Sequence, residues 1–444
     1  MAESFDWTLD VLVIGGGGCG LAAAIAAHDA GAETAIVEKL DRPGGNTALS
    51  TGSVPGAGSR FQRAAGIEDS PERMIADYEA NAGEHDMLPV MRRLARDSAG
   101  LVEWLVDAAG ARMSIITDYK HVGHSVPRLH APVSRRGQDL LDDLVAAAER
   151  RGIVLACGNA VRELITGPDG AVAGAVIESN EDELTRVGAK KVVLATNGYA
   201  ANRDLVAQYC PEISGAEYFG ARGSTGEAVL WGQHLGAALA NMGAYQGYAS
   251  VAYPQGQVLS WTTIEKGGVL VDARGARFGD EAGAGYSAFA RNVLAAAAPV
   301  HAVFDERIRL IADKEEEFHE LIEMKGAKKA ANARELAAAL GVDAATLERS
   351  VASLAPPLYA VRVVPGLFHT QGGLRVDEQA HVLRSDGTII PNLFAGGGAA
   401  AGISGRSGAA GYASGNGLLT ALGLGRMAGL TAAAEIGARR AAND

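Results

Sequence analysis

Only three thiols occur in 444 residues, Cys19, Cys157 and Cys210, and no two of them stand at a CxxC spacing. That excludes a disulfide framework and a cysteine-based zinc site, and it makes a reducing cytoplasm (a cytoplasmic protein) the expected setting. Basic charge is short too, with 40 Lys and Arg against 52 Asp and Glu and a formal net charge of -12. No basic block is available to neutralise phosphates, so nucleic acid is excluded as a partner and a small molecule is expected. His121, His124 and His130 fall in one irregular stretch. Their i, i+3, i+9 spacing is no ligand pattern, and no metal is expected. An apolar run of membrane length is missing as well. The long stretch near the C-terminus carries Arg426 and Glu435, and the opening MAESFDWTLD has no basic segment, so neither a membrane span nor a signal peptide is expected.

Glycine is what the chain has in abundance, 58 residues of it against 5% aromatics. The glycines are most informative in LDVLVIGGGGCGLAAAIAAHDAGAETAIVEKL. An apolar strand (Val11 to Ile14), an Ala-rich helix (Leu21 to Ala30) and a second strand (Thr34 to Val37) ending at Glu38 make a βαβ unit. Gly15, Gly17 and Gly20 match G-x-G-x-x-G in that setting, where they permit the tight turn, the approach of a pyrophosphate and close packing of helix on strand. Glu38 is placed to accept from a ribose hydroxyl. The expected fold class is α/β, a Rossmann-like dinucleotide-binding domain.

The choice of dinucleotide rests on the segments beyond Val37. EKLDRPGGNTALSTGSVPGAG, KKVVLATNGYAANRDLV (190 to 206), GSTGEAVLWGQHLGAAL (223 to 239), KGGVLVDARGARFGDE (266 to 281) and the block from 357 to 398 ending in NLFAGGG resemble, in order and spacing, the FAD-binding fumarate reductase and succinate dehydrogenase flavoproteins and their 3-ketosteroid dehydrogenase relatives. The resemblance implies FAD, held by an FAD-binding domain of residues 1–240 and 358–444 with an α+β cap domain, 241–357, inserted between them. It also implies the cofactor contacts: Gly15, Gly17, Cys19, Gly20, Glu38, Lys39, Gly45, Asn46, Thr47, Thr51, Gly52, Val161, Thr196, Asn197, Gly198, Gly397, Ser414, Asn416, Leu418 and Leu419. Relatives that hold FAD covalently present a histidine near PGGNTALSTG, and none stands there. Noncovalent FAD is expected. Within the cap, residues 314–354 read as charged and helical, with Asp343 as a helix N-cap.

The active-site pattern departs from the reductases at two places. Four residues after Glu281, where the family carries a proton-donating arginine, stands Gly285, followed by Tyr286; in GISGRSGAAGYASGNGLL (402 to 419) Tyr412 holds the place of a carboxylate-clamping arginine. His369 in FHTQGG matches the family's substrate-binding histidine. Two tyrosines resemble the ketosteroid dehydrogenases, in which one takes the proton α to a ketone and another, with a backbone N–H, holds the ketone oxygen. The resemblance thus assigns the base to Tyr286 and the oxygen site to Tyr412 with Gly417; because an unperturbed tyrosine has a pKa of about 10, the base needs a neighbour to work near neutrality, and Tyr119, His121 and His124 in DYKHVGHSVPRLH are the candidate helpers. The expected reaction is desaturation next to a ketone in a small alicyclic ketone or keto acid, and the alternative is reduction of an unsaturated carboxylic acid. Arg128, Arg135 and Arg406 are candidate partners for a substrate carboxylate. The electron acceptor (oxygen, a quinone or a carrier protein) is not legible.

Overall fold

The computed structural model describes residues 4–118, 120–313 and 315–443. Residues up to 210, 220–245 and those from 369 onward pack as one unit; 211–219 and 246–368 pack as another. The excursion 211–219 and the strand up to Phe368 therefore go with the second unit.

In the first unit the strand Trp7–Ile14 lies between two parallel neighbours, Thr34–Glu38 and Leu184–Leu194. Val11 to Ile14 are at most 4% exposed, as an unbroken apolar run requires in a parallel sheet covered on both faces. The sheet continues to Val154–Cys157 on one side and Ile389–Ala395 on the other. The helix begins at Gly18, earlier than Leu21, because the glycine turn itself supplies its first residues; it ends at Asp29.

That helix is Ala-rich because another helix lies almost backbone to backbone with it. A Cβ added at Gly425 or Gly429 of Asn416–Asn443 would fall 2.3 Å from the Cys19 carbonyl oxygen or 2.1 Å from that of Ala23. Asn416–Ala438 is long and apolar enough to cross a bilayer, yet 61% of its most apolar stretch is buried inside the protein. Packing of a core helix accounts for that apolarity.

The second unit has its own core around Phe304, Phe318, Leu270 and Val361. Its 314–354 region is less helical than its composition suggests. Helices Glu316–Glu323, Ala333–Leu340 and Ala344–Ser350 are interrupted by the strand Ala327–Ala330, which pairs with Leu358–Val361. Ala and Lys are poor strand formers, and tertiary pairing overrides their preference. Asp343 does cap its helix, accepting from Thr346 N at 2.8 Å.

Candidate active site

The glycine turn of the first unit is fixed from behind and open in front. Gly15 has φ +116°, and a Cβ there would sit 2.3 Å from the Ala195 carbonyl oxygen; at Gly20 it would sit 1.8 Å from that of Gly15. On the other side, a Cβ at Gly17 meets only Gly44 O at 3.5 Å, and one at Gly44 meets nothing within 4 Å. Thr47, 5% exposed, accepts from Gly18 N at 3.2 Å. Both Glu38 oxygens are engaged at the strand end, by Gly16 N at 2.7 Å and Leu40 N at 2.9 Å.

The 196–198 and 396–398 turns close on the same place. Asn197 adopts φ 65° and donates to Ser224 Oγ at 2.8 Å. A Cβ at Gly398 would lie 2.5 Å from Asn197 Oδ1, and one at Gly396 would lie 2.7 Å from Cys19 Sγ. Beside them, the buried Thr196 Oγ1 has no hydrogen-bond partner. An open glycine face, a helix N-terminus and an orphaned hydroxyl fit a dinucleotide pyrophosphate.

Other expected contacts are brought to this turn but serve the protein as well. Lys39 is ion-paired to Glu227 and donates to Thr225 Oγ1 at 2.7 Å, which ties the 223–227 turn to the strand end. Asn46 Oδ1 accepts from Ala221 N at 2.7 Å. Desolvation pushes the buried Cys19 thiol up to about 12, so the residue is a packing group beside Gly396 and Gly397. Gly45 (φ 68°) opens the short helix Gly45–Leu49, whereas Gly52 (φ 68°) is backed against Pro132. Thr51 is exposed and bonded to Ser53 Oγ at 2.9 Å. Val161 lies in the strand Asn159–Thr166 opposite Ile177. Leu418 and Leu419 send their side chains into the core.

The loop before the long helix carries Tyr412, half-buried, with its backbone N donating to Ala409 O at 3.3 Å. Asn416 is 1% exposed; its amide donates to Ser404 Oγ, and its Oδ1 lies 3.5 Å from Gln371 Nε2. Gln371 Nε2 also stands 3.0 Å from His369 Nε2. His369 sits over the start of the helix, 3.5 Å from where a Cβ at Gly417 would be. Desolvation holds its pKa down at about 4, so at neutral pH the ring is an uncharged imidazole. Gln371 and Ser404 are site residues that the sequence does not single out, although the Gln of FHTQGG stands two residues from the expected histidine.

Arg128 is not a substrate ligand. It is fully buried and its guanidinium is spent on Asp69 (2.7 and 2.8 Å) and Asp77 (2.8 Å). Arg406 is exposed and pairs with Asp86 at 3.2 Å, and Arg135 lies 3.8 Å from Asp118. His130 bonds Ser59 Oγ at 2.8 Å. Among the described residues no three potential ligands group around a metal position. Tyr119 lies outside the described residues.

Tyr286 belongs to the second unit. The helix Glu281–Ala288 breaks at Gly285 (φ 75°, ψ 163°), and the Tyr286 ring just after the break lies 5.0 Å from Tyr248 and 6.5 Å from Trp261. Burial raises the Tyr248 phenol well above its usual value, and Tyr286 adds to the rise. Glu281 is buried and paired with Arg277 at 2.9 Å.

Residues 10–418 match the family described as FAD binding domain. The chain belongs to this family. FAD is therefore its cofactor. A probable fumarate reductase of Shewanella frigidimarina is 30% identical over 96% of the chain, which spans 75% of that relative, and the chain is an oxidoreductase of the fumarate reductase family. NADH:fumarate oxidoreductase of Klebsiella pneumoniae is 32% identical over 89% of the chain, which spans 45% of that relative. Among solved structures, an open flavocytochrome c3 fumarate reductase superposes with a TM-score of 0.84 at 28% identity, covering 97% of this chain and 79% of that one. The 3-ketosteroid-Δ4-(5α)-dehydrogenase of Rhodococcus jostii RHA1 superposes at 0.78 with 26% identity, covering 98% of both chains.

No histidine stands in PGGNTALSTG, so acid precipitation of this flavoprotein is expected to leave yellow FAD in the supernatant. Flavin retained in the pellet would show a covalent link and contradict that expectation.

Proposed function

We propose that this flavoprotein exchanges two electrons with a carbon–carbon bond adjacent to a neutral carbonyl, working as a reductase of the unsaturated ketone. The observation that carries the reading is the residue set. By the resemblance, Tyr412 stands where the related reductases hold a carboxylate-clamping arginine and Gly285 where they hold a proton-donating one, the matching His369 is uncharged, and Arg128 is consumed by Asp69 and Asp77. The names of the Klebsiella relative and of the flavocytochrome support the reductive direction. The Rhodococcus dehydrogenase, equal in extent to this chain, supports a ketone as the activating group. Desaturation of the saturated ketone is the same exchange run backward.

FAD supplies the two-electron carrier. The protein's part is to hold the carbonyl oxygen. As hydride adds to the β carbon, negative charge grows on that oxygen, and a preorganised donor aimed at it is worth about 3 to 4 kcal/mol in the transition state. The Tyr412 hydroxyl is proposed as that donor, with the Gly417 backbone N–H beside it. His369, neutral, adds a hydrogen-bonding group without attracting a carboxylate. On the resemblance alone, the proton at the α carbon is assigned to Tyr286.

A second reading, reduction of an unsaturated acid, rests on the relatives' names. The two are separated by reducing the bound FAD anaerobically and mixing the protein with cyclic enones or with fumarate-like acids. Fast return of the yellow colour with enones and slow return with acids is expected. The opposite order would replace the proposed reading with the acid one.

A further inference from the structure

The loop that bears Tyr412 is gripped by a buried group that the proposed reaction leaves unused. Arg128, 0% exposed, donates to both oxygens of Asp69 and to Asp77 Oδ2, which also takes Ser125 N at 2.9 Å and Ser125 Oγ at 2.8 Å. The same guanidinium reaches His124 Nδ1 at 3.0 Å, and His124 Nε2 lies 2.8 Å from the Ser414 carbonyl oxygen. Arginine has only donors. Nδ1 must therefore accept, the ring proton must sit on Nε2, and Nε2–H must donate to Ser414 O. The two neighbours together leave the ring a single tautomer.

Two further ties join the same segments. Ser414 N donates to Val122 O at 3.0 Å, and a Cβ at Gly123 would stand 2.4 Å from Ala413 Cβ. His121, Arg128, Asp69 and Asp77 are the titratable and charged groups around the ring, and Tyr78 packs against it in a T-shaped pair with ring centroids 5.7 Å apart. Desolvation, reinforced by Arg128, lowers the His124 pKa to about 4, which keeps the ring neutral and its hydrogen-bond pattern constant.

We infer that His124 is a positioning residue: it transmits the fixed geometry of the Asp69–Asp77–Arg128 group to the Ser414 carbonyl and so fixes the backbone that aims Tyr412. The catalytic part of this inference rests on the proposed role of Tyr412; the anchoring part does not.

The test uses the full-length, FAD-loaded protein. Nitrogen-15 histidine spectra should show His124 protonated on Nε2 alone, without titration between about pH 5.5 and 8; protonation on Nδ1, or titration in that range, would overturn the inference. In His124→Ala, hydrogen exchange in the peptide covering 409–418 should quicken by about tenfold or more, the sign of a local opening. FAD content should stay near wild type. His124→Gln, whose carbonyl can accept from Arg128 while its amide donates to Ser414, should restore most of the protection. Unchanged exchange in His124→Ala, or no recovery in His124→Gln, refutes the anchor. For the catalytic part, His124→Ala should lower kcat about tenfold with KM little changed. Added to Tyr412→Phe it should cost nothing more, and additive losses would show that His124 does not act through Tyr412. If Tyr412→Phe is itself silent, the proposed function fails while the exchange measurements still decide the anchor.

Discussion

Gly20→Ala is expected to purify without its flavin. The added methyl would lie 1.8 Å from the Gly15 carbonyl oxygen and 3.0 Å from its carbon, both backbone atoms, with Val13 Cγ1 at 3.3 Å. Neither side can yield cheaply. Gly15 directly succeeds a strand hydrogen-bonded on both edges, and the helix carrying Gly20 is pressed on its other side by Gly425 and Gly429. Overpacking of this kind costs roughly 1 to 3 kcal/mol when the surroundings give way, and here relief comes only by widening the turn that receives the pyrophosphate. FAD affinity should fall by about two orders of magnitude or more, at about 1.4 kcal/mol per tenfold. Gly31→Ala is the control: φ there is +89° but nothing lies within 4 Å of the new Cβ, so it should lose a little stability and keep its cofactor. Absorbance at the flavin band relative to protein, together with titration of FAD into the apoprotein, measures both. A Gly20→Ala protein that retains full flavin through dialysis would mean that the turn is not the pyrophosphate site.

The turn is legible in the sequence because its constraints are local. Strand, glycine spacing, helix and terminal acid lie within Val11 to Glu38, and each residue type there answers a backbone need that can be stated without the fold. The strand Ala327–Ala330 is not legible, since AKKA pairs only because Leu358–Val361 is present to receive it. Arg128 illustrates the same limit in the site. As a lone arginine in DYKHVGHSVPRLH it suggests a carboxylate ligand, and nothing in that stretch announces Asp69 and Asp77, which enclose it from a helix and loop some fifty residues upstream. Gln371 falls between the cases: it is visible in FHTQGG, but its bridge from His369 toward Asn416 requires the long helix to start where it does. Local turns that hold a cofactor are thus readable, whereas the polar groups that orient a substrate depend on distant partners.

Tyr412→Phe should leave FAD content and spectrum unchanged and lower kcat by about 10² to 10³, with KM within a few-fold of wild type. Phe keeps the ring, so packing of this half-buried side chain persists. Only the hydroxyl goes. If that hydroxyl donates to an oxygen whose charge is small in the bound ketone and large in the transition state, its loss falls on the chemical step rather than on binding. The pH dependence gives an independent check. His369 and His124 both have pKa values lowered to about 4, so both are neutral from about pH 5 upward. Their contribution should therefore be flat from mildly acidic to neutral pH, and any inflection near the ordinary histidine pKa of about 6.5 would have to come from another group. The acid reading predicts otherwise: wild type would already reduce a fumarate-like acid, and Tyr412→Phe would leave that rate and the slow enone rate unchanged, while Tyr412→Arg adds a carboxylate-binding charge under either reading. Under the neutral-carbonyl reading Tyr412→Arg loses the ketone reaction and gains acid binding, while Tyr412→Phe loses the first and gains nothing. Stopped-flow reoxidation of the reduced flavin by an enone and by a fumarate-like acid, in wild type and both variants, reads all of this out. Wild-type rates with enone that survive in Tyr412→Phe would remove the tyrosine from the chemistry and with it the proposed substrate class.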